Sequence, residues 1–249
     1  MSVSIILPVF DLGPDRAWSV DFVLKHIKRA GFDEVIIVEQ IGQDGSCLTE
    51  SQLRGTTHLK VCVDSSCIHK SLLINRGVMY ANTDFIWMND IDIYAPFSQA
   101  ICLLNSEMEA AKPFSCFYRF TRDLSDRFVE DGFVDVQGEN LIVVHQFAAG
   151  AFVIRKDVFL ELRGMNEVFV GWGCEDCEFR ARVEKLCKVE VFRNLKGIHL
   201  HHERIPETET RDIYERCLEE IDDDVEAYVR GMNSSIPCWG TPPQRFLVV

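Results

Sequence analysis

Short apolar runs alternate with helical patterns along the first third of the chain, and this order constrains the fold more than any other feature. Four apolar runs predict strands, at residues 4–9, 34–39, 58–63 and 84–88. The segments 14–30 and 68–80 carry apolar residues at helical spacing, and Gly31 suits the C-terminal cap of the earlier helix. Strands that alternate with helices predict an α/β fold with a mostly parallel sheet and right-handed crossovers.

The rest of the chain is less regular. The elements predicted there are strands at 141–144, 151–154 and 189–192, a helix at 175–186, and an acidic helix that follows Pro206 and ends near Tyr228. The stretch 114–136 is aromatic and charged without a clear period, so it predicts no regular element. No internal repeat or low-complexity linker divides the chain, and its length suits one domain or two closely packed lobes.

The composition is that of a globular protein, since 47% of the 249 residues are hydrophobic and 26% are charged. A net charge of −13 would repel a phosphate backbone, which argues against nucleic acid as a partner. The N-terminus lacks the basic start and apolar run of a signal peptide, and no window approaches the ~18 apolar residues of a membrane span. We therefore expect a cytoplasmic protein without an integral membrane segment, with its ten cysteines reduced.

The ends of the predicted strands point to a ligand site. Ligands of open α/β sheets bind beyond the carboxyl ends of the strands, so Pro8, Glu39 and Asp90 are expected to line one crevice. No G-x-G-x-x-G motif follows the first strand, and the chain has no Walker A motif. The sequence thus offers no support for a dinucleotide-dependent dehydrogenase or a P-loop protein.

Two groups of residues have the chemistry of a metal site. Asp90 and Asp92 follow directly on an apolar strand, and paired carboxylates at a strand end suit Mg²⁺ or Mn²⁺. His199, His201 and His202 lie close together after a short predicted strand, and imidazole beside carboxylate favours Mn²⁺. Strand alternation places His199 and His201 on one face, so the residues alone leave open which histidine binds the metal.

The segment 171–178 combines glycines, a tryptophan and acids at the start of a predicted helix. Helix capping and the helix dipole account for Glu175 and Asp176 in a first turn. They do not account for Trp172 between two glycines, which is typical of an exposed aromatic platform that holds the apolar face of a sugar ring.

The order of these motifs resembles the GT-A class of glycosyltransferases, and most closely the galactosyltransferase-like C-terminal module of β-1,4-galactosyltransferases and chondroitin polymerases. The segments that carry the resemblance are 4–8, 38–40, 68–77, 90–92, 147–152, 164–167, 171–176 and 199–202. The chain departs from the family at Cys174, where the family usually has glycine, and at Cys177, where a further acid is common.

The resemblance implies a metal-dependent, inverting glycosyltransferase that uses Mn²⁺ or Mg²⁺ and transfers a hexose-type sugar from a UDP-sugar to a hydroxyl of a glycan or other acceptor. It assigns metal ligation to Asp92, His202, His199 and Asp90, and nucleotide-sugar binding to Pro8, Glu39, Asn75, Arg76, Asp90 and Trp172. It makes Asp176 the general base and lets Glu175 hold the acceptor. The dipole of the helix is expected to lower the pKa of Asp176 rather than raise it.

The same resemblance implies a single GT-A catalytic domain. Its parts are a nucleotide-sugar and metal-binding lobe at 1–112, an acceptor-binding lobe at 113–205, and a C-terminal acidic helix and tail at 206–249. It leaves the donor sugar, the acceptor and the oligomeric state open.

Two other functions fit parts of the sequence. A catalytically inactive module that binds nucleotide sugars or glycans is compatible with Cys174 and Cys177 in the acceptor motif. A metal-dependent phosphoesterase would use Asp90, Asp92 and the histidines, but it leaves the segment 171–176 without a role.

Overall fold

The computed structural model of the chain describes residues 1–42, 45–63, 65–136, 139, 141–144, 150–203, 210–233 and 247–248. The helices are α1 (Gly13–Arg29), α2 (Glu50–Leu53), α3 (Lys70–Tyr80), α4 (Phe97–Leu103), α5 (Arg122–Asp131), α6 (Lys156–Glu161), α7 (Glu175–Leu186) and α8 (Arg211–Gly231). The strands are β1 (Val3–Val9), β2 (Glu34–Ile41), β3 (Thr57–Cys62), β4 (Phe85–Asn89), β5 (Ile93–Tyr94), β6 (Ala110–Lys112), β7 (Cys116–Arg119), β8 (Ile142–Val144), β9 (Ala151–Arg155), β10 (Val189–Val191), β11 (Lys196–His199) and β12 (Leu247–Val248).

The main sheet has eight strands in the order β10-β6-β9-β4-β1-β2-β3-β12. β1 pairs in parallel with β2 and β4, and β2 pairs in parallel with β3, so the predicted parallel sheet is confirmed for the first four strands. β9 runs antiparallel to both β4 and β6, and β12 runs antiparallel to β3. The sheet is therefore mixed, and the prediction of an α/β fold is confirmed.

The central strands are buried because helices cover both faces of the sheet. Every residue of β1 and β4 is buried, which explains why they appear in the sequence as continuous apolar runs. α1 packs on the face of β1 that carries Ile5 and Leu7, and α3 packs on the face that carries Ile6. α3 approaches closely because Gly77 has no side chain: a Cβ there would lie 2.5 Å from the Cγ2 of Ile6.

A second sheet of four strands brings two distant motifs together. Its order is β5-β11-β7-β8, with β11 parallel to β7 and antiparallel to β5. Residues 90–92 form the turn between β4 and β5, and Ile93 of β5 pairs with His199 of β11. This pairing places the carboxylates that follow β4 beside the histidines at the end of β11 and just after it.

Several short elements were not predicted from the sequence. β5, β6, α2, α4 and α6 are two to seven residues long and show no clear period, and β7 and α5 lie within the stretch 114–136. β11 ends at His199, so the expected strand alternation does not extend to His201. The segments 145–149, 204–209 and 234–246, which include parts of the predicted acceptor motif and of the C-terminal tail, lie outside the described residues. No described helix combines the length and the apolar character needed to cross a membrane.

Candidate active site

The turn between β4 and β5 separates the two carboxylates of the Asp90–Asp92 pair. The side-chain amide of Asn89 donates to the carbonyl oxygens of Asp90 at 2.7 Å and Ile93 at 2.9 Å. The indole nitrogen of Trp87 donates to the Asn89 oxygen at 3.1 Å. These bonds fix the turn from inside the core, and the two aspartates reach different partners.

Asp92 lies in a cluster with His199 and His202. One ligand atom from each residue lies within 4.8 Å of the other two. The Nε2 atom of His202 is 3.4 Å from the Asp92 Oδ2, and the Nε2 atom of His199 is 4.0 Å from the Asp92 Oδ1. Two imidazoles and a carboxylate are a donor set that suits Mn²⁺.

The hydrogen bonds of both imidazoles favour metal ligation. Nδ1 of His199 lies 3.0 Å from the carbonyl oxygen of Leu200, and Nδ1 of His202 lies 2.7 Å from that of Glu203. A carbonyl only accepts, so these two contacts favour a proton on Nδ1 and a lone pair on the Nε2 that faces Asp92. At His202 the contact is shared, because Nη2 of Arg16, which only donates, lies 3.3 Å from the same Nδ1. Metal-binding histidines in proteins are commonly oriented by a hydrogen bond of this kind.

The charges around Asp92 keep it ionised. Burial would raise the pKa of Asp92, but the neighbouring His199, Arg16 and His202 outweigh it and hold the pKa below its ordinary value. The Nε atom of Arg16, from the first turns of α1, is 3.6 Å from the Asp92 Oδ2. Burial lowers the pKa of His199 and favours the neutral ring. Both groups therefore have the protonation states that a divalent cation requires.

Asp90 belongs to a second centre, built around Lys70. The Lys70 Nζ atom lies 2.9 Å from Asp90 Oδ1, 3.2 Å from Glu175 Oε1 and 3.0 Å from Asp176 Oδ2. Lys70 is the first residue of α3, and Glu175 and Asp176 are the first two residues of α7. One buried ammonium group thus joins the turn after β4 to the start of α7.

Asp176 and Asp90 of the Lys70 centre have raised pKa values. Burial raises the pKa of Asp176 to about 7, and the charges of Glu175 and Asp90 add to this, while Lys70 opposes it. The helix dipole was expected to lower this pKa, but burial among other carboxylates outweighs the dipole. Burial also raises the pKa of Asp90. The pKa of Lys70 is raised too, because the three carboxylates overcome the effect of burial.

The segment before α7 has an unusual backbone. Gly171, Gly173 and Cys174 have φ values of 96°, 121° and 67°. The amide of Gly173 donates to Glu175 Oε2 at 3.1 Å, and the amide of Gly171 donates to the carbonyl oxygen of Ile68 at 2.7 Å. Trp172, expected as an exposed platform, is half-buried and lies between two cavities.

Both centres open into one cavity of about 450 Å³. Its lining includes Pro8, Phe10, Arg16, Lys70, Asp90, Asp92, Trp172, Asp176, Cys177, His199 and His202. A second cavity of about 470 Å³ shares Arg119, Trp172, His199 and His202 with the first and is also lined by Thr121 and His201. The metal cluster and Asp176 therefore face a common space, with Trp172 at the boundary between the two cavities. Glu175 is buried and is not among the residues that line either cavity.

Glu39 lines a third cavity, of about 770 Å³, that shares Phe10 with the first. Its carboxylate accepts hydrogen bonds from His58 at 2.8 Å, Ser46 at 2.7 Å and the amide of Cys47 at 2.6 Å. Burial would raise the pKa of Glu39, but these bonds lower it. The single crevice expected for Pro8, Glu39 and Asp90 is therefore two cavities that meet at Phe10.

Asn75 and Arg76 are not among the residues that line these cavities. Asn75 is fully buried, and its amide bonds to the backbone of Met165 at 2.8 Å and to Glu167 at 2.8 Å. Its observed role is to attach α3 to the segment before α7. Arg76 is the next residue of α3, and the structure places it outside the described lining as well.

Lys70 and Arg16 belong to the site, although neither was predicted from the sequence. Each is a cation near the N-terminus of a helix, where the helix dipole disfavours positive charge. A residue that contradicts such a local rule is a signal of a functional or compensated site. Their partners lie far away in the sequence, since Lys70 and Asp176 are 106 residues apart, so only the fold reveals the pairing.

Comparison with known proteins gives one family match. Residues 142–204 match the family model described as the N-terminal domain of galactosyltransferase. No curated protein sequence matches the chain. This stretch contains Glu175 and Asp176 of the Lys70 centre and the two histidines of the metal cluster, His199 and His202.

Three solved structures illustrate the structural similarity. Drosophila β-1,4-galactosyltransferase 7 in complex with manganese, UDP-Gal and xylobiose is 16% identical, with a TM-score of 0.53 over 86% of this chain and 79% of that one. Glucosyl-3-phosphoglycerate synthase from Mycobacterium tuberculosis with Mn²⁺, UDP and glucosyl-3-phosphoglycerate is 14% identical, with a TM-score of 0.51 over 98% and 81%. The mannosyltransferase of Pyrobaculum calidifontis with GDP-Man and Mn²⁺ is 13% identical, with a TM-score of 0.53 over 93% and 70%. The chain thus has the fold of the GT-A glycosyltransferases, and its residues 142–204 carry the sequence pattern of the galactosyltransferase family.

Proposed function

We propose that this protein is a metal-dependent, inverting glycosyltransferase that moves a hexose-type sugar from a UDP-sugar to a hydroxyl group of a glycan or other acceptor. The observation that carries the proposal is that a metal-ligand cluster and the carboxylate of Asp176 face one cavity. A transfer reaction needs both, because one group must leave with negative charge while another loses a proton.

On the leaving-group side, Asp92, His199 and His202 would hold Mn²⁺ or Mg²⁺. The cation supplies Lewis-acid stabilisation for the charge that develops on the leaving diphosphate. Arg16 lies beside this cluster, and its guanidinium group would contact the same phosphate oxygens. Asp90 is held by Lys70 and would contact the donor sugar rather than the cation.

On the acceptor side, Asp176 would accept the proton of the attacking hydroxyl. A carboxylate with a pKa of about 7 is a stronger base than an ordinary aspartate and is still ionised in part at neutral pH. Glu175 would support the acceptor site from the same helix turn through its contacts with Lys70 and the amide of Gly173. Trp172 would pack against a sugar ring at the boundary between the two cavities.

The arrangement favours inversion. A single base and a single leaving-group site suit one in-line displacement, which inverts the anomeric carbon. A UDP-sugar is the proposed donor because residues 142–204 match a galactosyltransferase model and because a galactosyltransferase of the same fold was solved with UDP-Gal. A GDP-sugar is the main alternative donor to test, since a GDP-Man complex has the same fold.

The test is a panel of UDP- and GDP-sugars assayed with Mn²⁺ for release of nucleoside diphosphate. We expect release from one donor, and loss of that release without Mn²⁺ and in Asp92→Ala. Asp21→Ala, which removes an exposed carboxylate of α1, is the matched control and should retain activity. Mn²⁺-dependent binding of a donor without turnover, even with a panel of glycan acceptors, would indicate an inactive module, and no binding of any donor would contradict the proposed function.

A further inference from the structure

The C-terminal helix α8 follows the segment that matches the galactosyltransferase model, and it has a break in its middle. Asp224 has φ and ψ values of −151° and 92°, which are not helical. Its side-chain Oδ1 atom accepts a hydrogen bond of 2.9 Å from the amide of Ala227, as an N-cap residue does. The second half of α8 is therefore a separately capped helical segment, and it carries Tyr228.

Tyr228 contacts α7 through a buried hydrogen-bond network. Its hydroxyl donates to Glu178 Oε1 at 2.8 Å and accepts from the amide of Asn166 at 2.8 Å. Glu178 is fully buried and forms a two-point ion pair with the fully buried Arg182, at 2.6 and 2.9 Å. Arg182 also donates to the carbonyl oxygens of Leu162 and Gly164, at 2.9 and 2.8 Å.

A buried ion pair of this kind depends on complete hydrogen bonding. Removing one partner leaves a buried charge less well compensated, and the surrounding structure moves to satisfy it. Glu178 lies in the first turns of α7, two residues after Asp176 and three after Glu175. Its carboxylate therefore helps to fix the rotation of the helix end that carries both acids.

The same network reaches the helix that carries Lys70. Asn166 lies beside Met165, whose backbone amide and carbonyl both bond to Asn75 of α3 at 2.8 Å. Tyr228 thus bonds directly to Glu178 of α7 and is connected to α3 through Asn166 and Met165. The first turns of these two helices meet in the Lys70 centre.

We propose that Tyr228 is a positioning residue for the transfer reaction, holding the first turn of α7 so that Asp176 keeps its place against Lys70 and the acceptor. This inference rests on the proposed function of Asp176 as the general base. Tyr228 lines a separate cavity of about 480 Å³ beside α8 and is absent from the lining described for the active-site cavity, so its effect on the reaction would be transmitted through Glu178.

The experiment compares Tyr228→Phe, which removes only the hydroxyl, with the wild-type protein. We expect kcat to fall about 10-fold while the KM values for donor and acceptor stay within about 2-fold, because a small displacement of a catalytic group affects the reaction more than binding. Tyr80→Phe makes the same chemical change at an exposed position at the end of α3 and should leave kcat unchanged.

A measurement independent of activity accompanies the kinetics. Hydrogen exchange of the amides in residues 171–182 should be faster in Tyr228→Phe than in wild type, while exchange in β1 and β2 stays the same. Unchanged kcat, or unchanged exchange at the start of α7, would overturn the positioning role. The positioning role would also be overturned if the fraction of the variant that binds Mn²⁺ and UDP falls in proportion to kcat. The lower kcat would then come from partial unfolding of the variant. If the wild type transfers no sugar, the proposed function fails, and the exchange measurement still decides whether Tyr228 holds α7.

Discussion

The Asp92 cluster and the Lys70 centre lie side by side in one cavity, but they are neutralised in different ways. The Lys70 centre has three carboxylates around an ammonium group that is a permanent part of the chain. The Asp92 cluster has one carboxylate, two imidazoles whose Nε2 atoms face it, and Arg16 at its edge. The difference explains how two aspartates separated by a single residue acquire different roles. Asp90 is paired with a buried ammonium group, whereas Asp92 lies beside two imidazole nitrogens that can bind a metal and has only the more distant Arg16 as a cation.

The largest difference between the two centres is expected when Asp92, the carboxylate of the metal cluster, is replaced. Asp92→Asn is expected to weaken Mn²⁺ binding about 100-fold and to lower kcat about 1000-fold, since a metal ion contributes several kcal/mol to charge stabilisation. Asp90→Asn makes the same change two residues away and should leave Mn²⁺ affinity within about 3-fold. Electron paramagnetic resonance titration with Mn²⁺ measures both, and equal losses in the two variants would show that the centres are not separate.

The second effect concerns the base in the Lys70 centre. Asp176→Asn should lower kcat by about 100- to 1000-fold, in the range of general base catalysis, and should leave binding of Mn²⁺ and UDP intact. In the wild type, kcat/KM should rise with pH through about 7, because a carboxyl with a raised pKa is protonated and inactive below that value. The pH–rate profile checks this, and a flat profile between about pH 5 and 9 would argue against Asp176 as the base.

The third change removes the built-in cation. Lys70 opposes the raised pKa of Asp176, so Lys70→Met should raise that pKa further and move the ascending limb of the pH profile to higher pH by about 1 to 3 units. At neutral pH the rate should fall at least ~10-fold and recover as the pH increases. Lys70→Arg keeps the charge and is the control. A uniform loss of rate without a shift of the profile would mean that Lys70 acts only on structure.

The sequence predicted the central sheet well because burial on both faces leaves a strong pattern. β1, β2 and β4 were predicted within about two residues, since each is a nearly continuous apolar run. β6 and β7 have three and four residues, too few for a period to emerge. α5 carried end signals that were overlooked: Thr121 caps its first turn, and Gly132 ends it with a φ of 72°.

The site could be predicted only in part from the sequence. Asp92, His199 and His202 were selected by their chemistry and by family resemblance, and the structure brings them within ligand distance of one another. Asn75 is assigned to nucleotide-sugar binding by the resemblance alone, and its amide faces the segment before α7. Helix periodicity does not distinguish a residue that lines a cavity from one that makes an internal contact. The raised pKa of Asp176 could not be predicted, since it arises from burial among residues distant in the sequence.

The smallest expected effect concerns the turn that leads into the Lys70 centre. Cys174 adopts a φ of 67°, a left-handed conformation that costs an L-residue roughly 1–2 kcal/mol. Glycine avoids this cost but loses about 0.5–1 kcal/mol through the entropy of the unfolded chain. Cys174→Gly should therefore stabilise the protein by about 0.5 kcal/mol. Cys177→Gly, inside the first turn of α7, should destabilise it by about 1 kcal/mol. Urea unfolding compares them, and a destabilised Cys174→Gly would show that the cysteine side chain itself supports the turn.

The most direct test of the separation between the two centres is to locate Mn²⁺ in crystals of the protein by anomalous diffraction at the manganese absorption edge. We expect one strong peak among the Asp92 carboxylate and the Nε2 atoms of His199 and His202, with Lys70 still bound to Asp90, Glu175 and Asp176. A peak on Asp90 with Lys70 displaced, or no peak at the histidines at saturating Mn²⁺, would contradict it.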